Sequence, residues 1–157
     1  MNTAPHFSSA KDDWETPIEI VDELAKQFGP FDLDVACSET NKKAQNGIIK
    51  DSLDIAWNEL GKRAWMNPPY GREIGKWIEK AYKETLTSQD FTITCLLPSR
   101  TDTQWWHRYV MKATRILFVE GRIKFSGHDN SAPFPSAIVY FGGTLGEPIF
   151  KTVKFDV

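Results

Sequence analysis

Residues 64–71 read Ala64-Trp65-Met66-Asn67-Pro68-Pro69-Tyr70-Gly71, an apolar strand that stops in a side-chain amide, two prolines and an aromatic ring. Proline locks φ at about −65°, lacks a backbone donor, and drives the residue before it out of the helical region. Asn67 and Pro68 are therefore extended or turn-like. The Asn67 side-chain oxygen and the Pro68 carbonyl can then point into one small space beside the flat face of Tyr70. A rigid pair of acceptors next to a ring marks a site rather than a core segment.

The flanking chain alternates between strand and helix patterns. Upstream, Thr16-Pro17-Ile18-Glu19 has the marks of a helix start, with Thr16 as N-cap, Pro17 at the first helical position and Glu19 completing a capping box. Ile20, Val21, Leu24, Ala25 and Phe28 share one face, and Gly29-Pro30 supplies the stop. Phe31 to Cys37 reads as a buried strand ending in the polar string Ser38-Glu39-Thr40-Asn41. A carboxylate near the carboxyl end of such a strand, here Asp34, lies where open α/β sheets bind ligands. The stretch from Lys42 to Gly61 holds only small elements.

Downstream, Glu73 to about Leu86 is a helix with Ile74, Trp77, Ile78, Ala81 and Tyr82 on one face. Phe91 to Leu97 is a strand, and Asp102 or Thr103 caps a helix carrying Trp105 and Trp106. Adjacent residues cannot share one direction on a helix, so one tryptophan packs inward and the other lies near the surface. Arg115 to Val119 is a strand, Gly121 to Phe125 a short strand or turn, and Ser126 to Ser131 a loop. Ser136 to Phe141 and Ile149 to Phe155 complete the β-rich end, the latter as an edge strand. The pattern predicts an α/β domain: a mostly parallel sheet with helices on both faces, closed by an antiparallel hairpin.

Composition narrows the class. At 157 residues, 41% hydrophobic and 25% charged, the chain suits one compact domain, expected over 12–157, preceded by a flexible polar arm over 1–11. No apolar run approaches the roughly 18 residues of a membrane span, and no basic flank precedes an apolar segment at the start, so the expectation is a soluble intracellular protein. Cys37 and Cys95 lie in apolar stretches without close Cys or His spacing, which reads as reduced core thiols and no metal site. The formal net charge of −2 means that any nucleic-acid contact must come from a local basic patch. Arg72, Arg100, Arg108, Lys112, Arg122 and Lys124 are its candidates.

Two acceptors holding the hydrogens of one exocyclic amine, such as that of adenine, would free a lone pair otherwise delocalised into the ring. Their electrostatic benefit is largest as positive charge develops on nitrogen, so the pair lowers a barrier rather than merely binding. Tyr70 would stack on the ring of the base, and an activated methyl donor facing the nitrogen would complete a direct displacement.

Several stretches together resemble the compact phage-type DNA N6-adenine methyltransferase family. They are Asp13-Trp14-Glu15-Thr16-Pro17, Leu33-Asp34-Val35-Ala36, Asn67-Pro68-Pro69-Tyr70-Gly71-Arg72, Ile74-Gly75-Lys76-Trp77, Leu97-Pro98-Ser99-Arg100-Thr101-Asp102 and Ala132-Pro133-Phe134-Pro135-Ser136-Ala137. The resemblance implies a Rossmann-like methyltransferase fold, S-adenosylmethionine as donor, adenine in DNA as acceptor, and a phage or prophage origin acting in the bacterial cytoplasm. It implies Asn67, Pro68, Pro69 and Tyr70 as catalytic residues. Glu15, Thr16, Pro17, Asp34, Ala36 and Ser38 become candidate cofactor contacts, with Asp51 and Asp54 for its ribose or adenine end and Asn41 behind them. Arg72, Arg100, Phe134 and Trp106 become candidate DNA or base contacts. There is no Gly-x-Gly loop after the first strand, and no separate target-recognition domain is expected. Two alternatives share the signature: transfer to RNA adenine or a glutamine amide, and a non-catalytic DNA-binding protein on a decayed methyltransferase fold.

Overall fold

A computed structural model of the chain describes residues 13–143 and 147–157; the arm expected over 1–11 lies outside the described residues. Helix α1 spans Ile18–Phe28 and buries Ile20, Val21, Leu24 and Phe28, the spacing that the sequence sets out. Its start differs by one residue from the expectation. Pro17 is the N-cap, with ψ at 138°, and its carbonyl accepts from the Ile20 amide at 3.1 Å. The cap carries no side-chain hydrogen bond. Thr16 therefore lies one step outside the helix, with its hydroxyl unpaired among the described residues.

Strand β1, Leu33–Asp34, is much shorter than the expected Phe31–Cys37. The cause is Asp34 itself: its two carboxylate oxygens accept from the Ala36 amide at 3.1 Å and the Lys43 amide at 2.9 Å, which turns the chain out of the sheet. Strand β2, Asn46–Gly47, lies parallel to β1. Two single-turn 3₁₀ helices at Ser52–Asp54 and Trp57–Glu59 fill the rest of this segment. They are pinned to β1, because the Ser52 hydroxyl donates to the Val35 carbonyl at 2.6 Å and the buried Trp57 indole donates to the Ser52 carbonyl at 2.9 Å.

Strand β3, Arg63–Met66, carries the apolar run ahead of Asn67, and helix α2 spans Ile74–Thr87. Strand β4, Thr92–Pro98, is buried along nearly its whole length. Helix α3, Gln104–Arg108, is capped by Thr103, whose hydroxyl accepts from the Trp106 amide. Strands β5, Arg115–Val119, and β6, Ser136–Phe141, have the expected bounds, and β7 covers Ile149–Val153.

Among the described residues seven strands form one sheet, in the order β2-β1-β3-β4-β6-β5-β7. Only β6 is antiparallel to its neighbours, inserted between β4 and β5, while β7 is parallel to β5 at the edge. Both sides of β5 are thus taken, and Gly121 to Phe125 forms no strand. That stretch and its sequel bond elsewhere: the Ser126 amide donates to the Glu15 carbonyl at 2.9 Å and the Ala132 amide to the Ile123 carbonyl at 2.8 Å.

Successive residues of a strand point to opposite faces. Tyr140 stacks on Phe28 of α1 at 4.6 Å between centroids, whereas Phe141 packs against Tyr82 of α2 at 6.0 Å. Helices therefore cover both faces, as the sequence pattern requires. The direction of chain progression reverses between β1 and β3, and their carboxyl ends frame the crevice where such sheets hold ligands.

Candidate functional site

A cavity of about 400 Å³ opens at that crevice, walled by Thr16 and Trp14 from the segment before α1, by Asp34, Ala36, Ser38, Asn41 and Lys43 after β1, and by Asn67, Pro68 and Pro69 after β3. A second of about 390 Å³ adjoins it through Ala36, Cys37 and Pro69, and is lined by Ile48, Leu53 and Trp77 with Asp51 and Asp54. The two make one trough, polar at the Asn67 end and partly apolar at the Trp77 end.

Asn67 is oriented. Its Nδ2 donates to the Trp14 main-chain carbonyl, which leaves Oδ1 buried and without a hydrogen-bond partner among the described residues. Thr16 Oγ1 and Asn41 Oδ1 are in the same condition, and all three residues line the first cavity. A buried polar group without a partner costs about 1–3 kcal/mol, so three such groups on residues that line one cavity suit a polar ligand.

Asp34 is buried, which raises its carboxyl above the ordinary value of 3.8, while the amides of Lys43 and Ala36 oppose the rise. Both of its oxygens are occupied by these amides, so its first task is to shape the loop that floors the cavity. Asp51 adopts a left-handed φ of 56° ahead of its 3₁₀ turn, a conformation that aspartate tolerates better than most residues. Asp51 and Asp54 are both exposed at the second cavity.

Several expected site residues are placed differently. Glu15 and Pro17 line neither cavity, because the Glu15 carbonyl is engaged by Ser126 and Pro17 forms the helix cap. Tyr70 is buried, with its hydroxyl donating to the Leu96 carbonyl at 2.9 Å, and burial holds its phenol well above the ordinary range. Its ring stands edge-on to Phe134 at 5.6 Å rather than on the cavity wall. Trp106 is the inward member of its pair, 3% exposed and stacked on Phe118. Its ring is covered, so the expectation that it stacks on a base is corrected. Cys95 is a core thiol, whereas Cys37 is half-buried and faces both cavities, against the expectation of a core position.

Arg72 and Arg100 are exposed beside the tetrad, and an Arg100 guanidinium nitrogen lies 3.4 Å from the Tyr70 carbonyl. Phe134 is half-buried between exposed prolines, edge-on to Trp14 at 5.1 Å. The sequence reading gave no role to Trp14 or Lys43. The first contributes a backbone atom, which no residue pattern reveals, and the second enters only because the Asp34 turn brings it back. Among the described residues no group of His, Cys, Asp or Glu could hold a metal ion. No helix there is long and apolar enough to cross a membrane.

Sheet order, helices on both faces and a trough at the reversal point together define a Rossmann-like methyltransferase fold. A modification subunit assigned to a type I restriction enzyme of Vibrio vulnificus YJ016 superposes over 98% of this chain and 50% of its own, with a TM-score of 0.51 at 12% identity. The family model described as DNA N-6-adenine-methyltransferase (Dam) matches residues 4–143, and the chain belongs to that family. A DNA N-6-adenine-methyltransferase of Escherichia phage T1 is 26% identical over 150 residues, 95% of this chain and 62% of the relative. One of Haemophilus phage HP1 is 28% identical over 123 residues, 77% of this chain and 70% of the relative. The chain thus spans a little over three fifths of the length of the first.

Proposed function

We propose that the protein transfers a methyl group from S-adenosylmethionine to the N6 amine of adenine in DNA. The reading is supported by membership of the family and, above all, by one feature of the site: a buried, fixed Asn67 Oδ1 without a partner among the described residues, on a cavity that Pro68 also lines.

The trough suits the donor chemically. Asn41 Oδ1, an acceptor, suits the ammonium of its amino-acid end and Thr16 Oγ1, which can donate, suits the carboxylate, while the carboxylates of Asp51 and Asp54 suit ribose hydroxyls. Ile48, Leu53 and Trp77 offer an apolar bed for a purine. When bound, this group supplies a methyl on a positively charged sulfur.

The chain's own part is to prepare the nucleophile. Asn67 Oδ1 and the Pro68 carbonyl accept the two amine hydrogens, draw the nitrogen toward a pyramidal geometry and stabilise the positive charge that grows on it. No strong base is needed, because the proton leaves only after the nitrogen has become cationic, and it passes to water. The amine of a paired adenine lies inside the duplex, so the base is swung out or the substrate is single-stranded. Phe134 and Trp14 are the rings best placed to flank it, and Arg72 and Arg100 to grip the phosphates.

The test is incubation of the chain with methyl-labelled cofactor and, in parallel, adenine-containing DNA, RNA of the same sequence and a glutamine peptide. Label in DNA alone, recovered as N6-methyladenine, is the expected result. Label in RNA or peptide instead would overturn the choice of acceptor.

A further inference from the structure

We propose that the main-chain carbonyl of Trp14 is the positioning group that commits the Asn67 side chain to act as an acceptor. This rests on the reading that Asn67 polarises the target amine.

A side-chain amide has two faces of opposite character, a donor Nδ2 and an acceptor Oδ1, and rotation by half a turn exchanges them. At Asn67 the Trp14 carbonyl takes Nδ2. The reverse orientation would set two acceptor oxygens against each other and aim donors at the amine. The orientation competent for catalysis is therefore chosen by an atom 53 residues away in sequence.

That carbonyl is itself held from both sides. Its neighbours bond to one loop, with the Glu15 carbonyl accepting from the Ser126 amide at 2.9 Å and the Asp13 carbonyl lying 3.4 Å from His128 Nε2. The indole between them stacks on His128 at 4.4 Å and meets Phe125 and Phe134 edge-on at 5.5 and 5.1 Å. A residue whose indole is packed by three rings and whose neighbours' carbonyls are engaged has its own carbonyl fixed in place, as holding a catalytic amide requires.

The substitution that separates this from simple packing is Asn67→Asp. An ionised carboxylate offers only acceptors and is repelled by the Trp14 carbonyl, whereas a protonated carboxyl offers one O–H and one C=O, the pattern of the amide. The ratio of the variant's kcat to that of the wild type should therefore rise as pH falls, by about tenfold per unit above the carboxyl's pKa. Asp13, Asp34, Cys37 and Lys43 line the same cavity and His128 packs on Trp14; they are common to both proteins, and the ratio removes what they contribute equally to each. A ratio that is flat with pH, or that rises with it, would overturn the proposal.

A second measurement avoids any fold defect in the variant. In the wild type, the Asn67 side-chain NH₂ resonances, assigned by their loss in Asn67→Ala, should exchange with solvent at least about tenfold more slowly than those of the exposed Asn46, as a buried hydrogen bond requires. Equal exchange rates would overturn the proposal. A slow-exchanging amide with a flat pH ratio would refute the positioning role while leaving the functional reading intact. A wild-type protein with a protected amide and no transfer to DNA would instead overturn that reading, and the proposal with it.

Discussion

The Tyr70 hydroxyl donates to the Leu96 carbonyl across 2.9 Å, which ties the last residue of the tetrad to strand β4 beside it. Tyr70→Phe keeps the ring and loses this bond, so it should cost about 1 kcal/mol of stability, a fall of about 3 °C in Tm for a domain of this size. Tyr70→Ala also removes a ring packed among Phe125 and Phe134, and should cost several times as much. Thermal melts of the two variants check the order. Equal losses would mean that the ring contributes nothing to holding the tetrad.

Thr16 Oγ1 is buried without a partner among the described residues, and valine has the same shape without the oxygen. Thr16→Val should leave the cofactor-free protein at least as stable as the wild type, since a buried unpaired hydroxyl is removed. It should also shrink the rise in Tm produced by a fixed excess of S-adenosylmethionine, because that rise scales with affinity. A lower melting point without cofactor, together with an unchanged shift, would assign the hydroxyl to the fold instead.

Asp34 provides a pH signature. Burial raises its folded-state pKa above the ordinary 3.8, so between those two values the folded protein holds a proton that the unfolded chain has released. Its contribution to stability is therefore largest below the lower value and declines as pH rises through the upper one. The advantage of wild type over Asp34→Asn should shrink as pH is raised from about 4 to about 7. The variant pays for its neutrality by turning an NH₂ toward one of the two amide donors. Denaturation midpoints of both proteins across that range provide the check, and a gap that widens with pH would contradict it.

Arg72 and Arg100 are exposed while Trp106 is buried. Arg72→Ala and Arg100→Ala should each weaken DNA binding and lower the steepness of its salt dependence by about one unit, as loss of a phosphate contact does. Trp106→Phe should cost about 1–3 kcal/mol of stability and leave DNA affinity unchanged. Titrations at several salt concentrations, set beside melts, would reveal the reverse pattern if a buried tryptophan were the DNA contact.

Much of the fold was legible because local patterns and tertiary packing agree. Ile20, Val21, Leu24 and Phe28 repeat at helical spacing and are buried, and β5 and β6 begin and end where the apolar runs do. Differences arise where a distant group decides. Asp34 shortens β1 by capturing the Lys43 amide nine residues on. With β6 on one side of β5 and β7 on the other, Gly121 to Phe125 has no edge of β5 to join. At the site, Asn67 and Pro68 could be read directly, since proline geometry is local. Which of Trp105 and Trp106 faces inward could not, because it depends on where α3 meets Phe118. Nor could the role of Trp14, which rests on a backbone oxygen.

The most direct measurement is of genomic DNA from a host lacking adenine methylation, expressing either the wild-type chain or Asn67→Ala, digested to nucleosides and assayed for N6-methyladenine. The wild type should produce the modified nucleoside, and the variant none, while purified variant still binds S-adenosylmethionine. N6-methyladenine formed equally by both proteins would contradict the role given to the Asn67 oxygen.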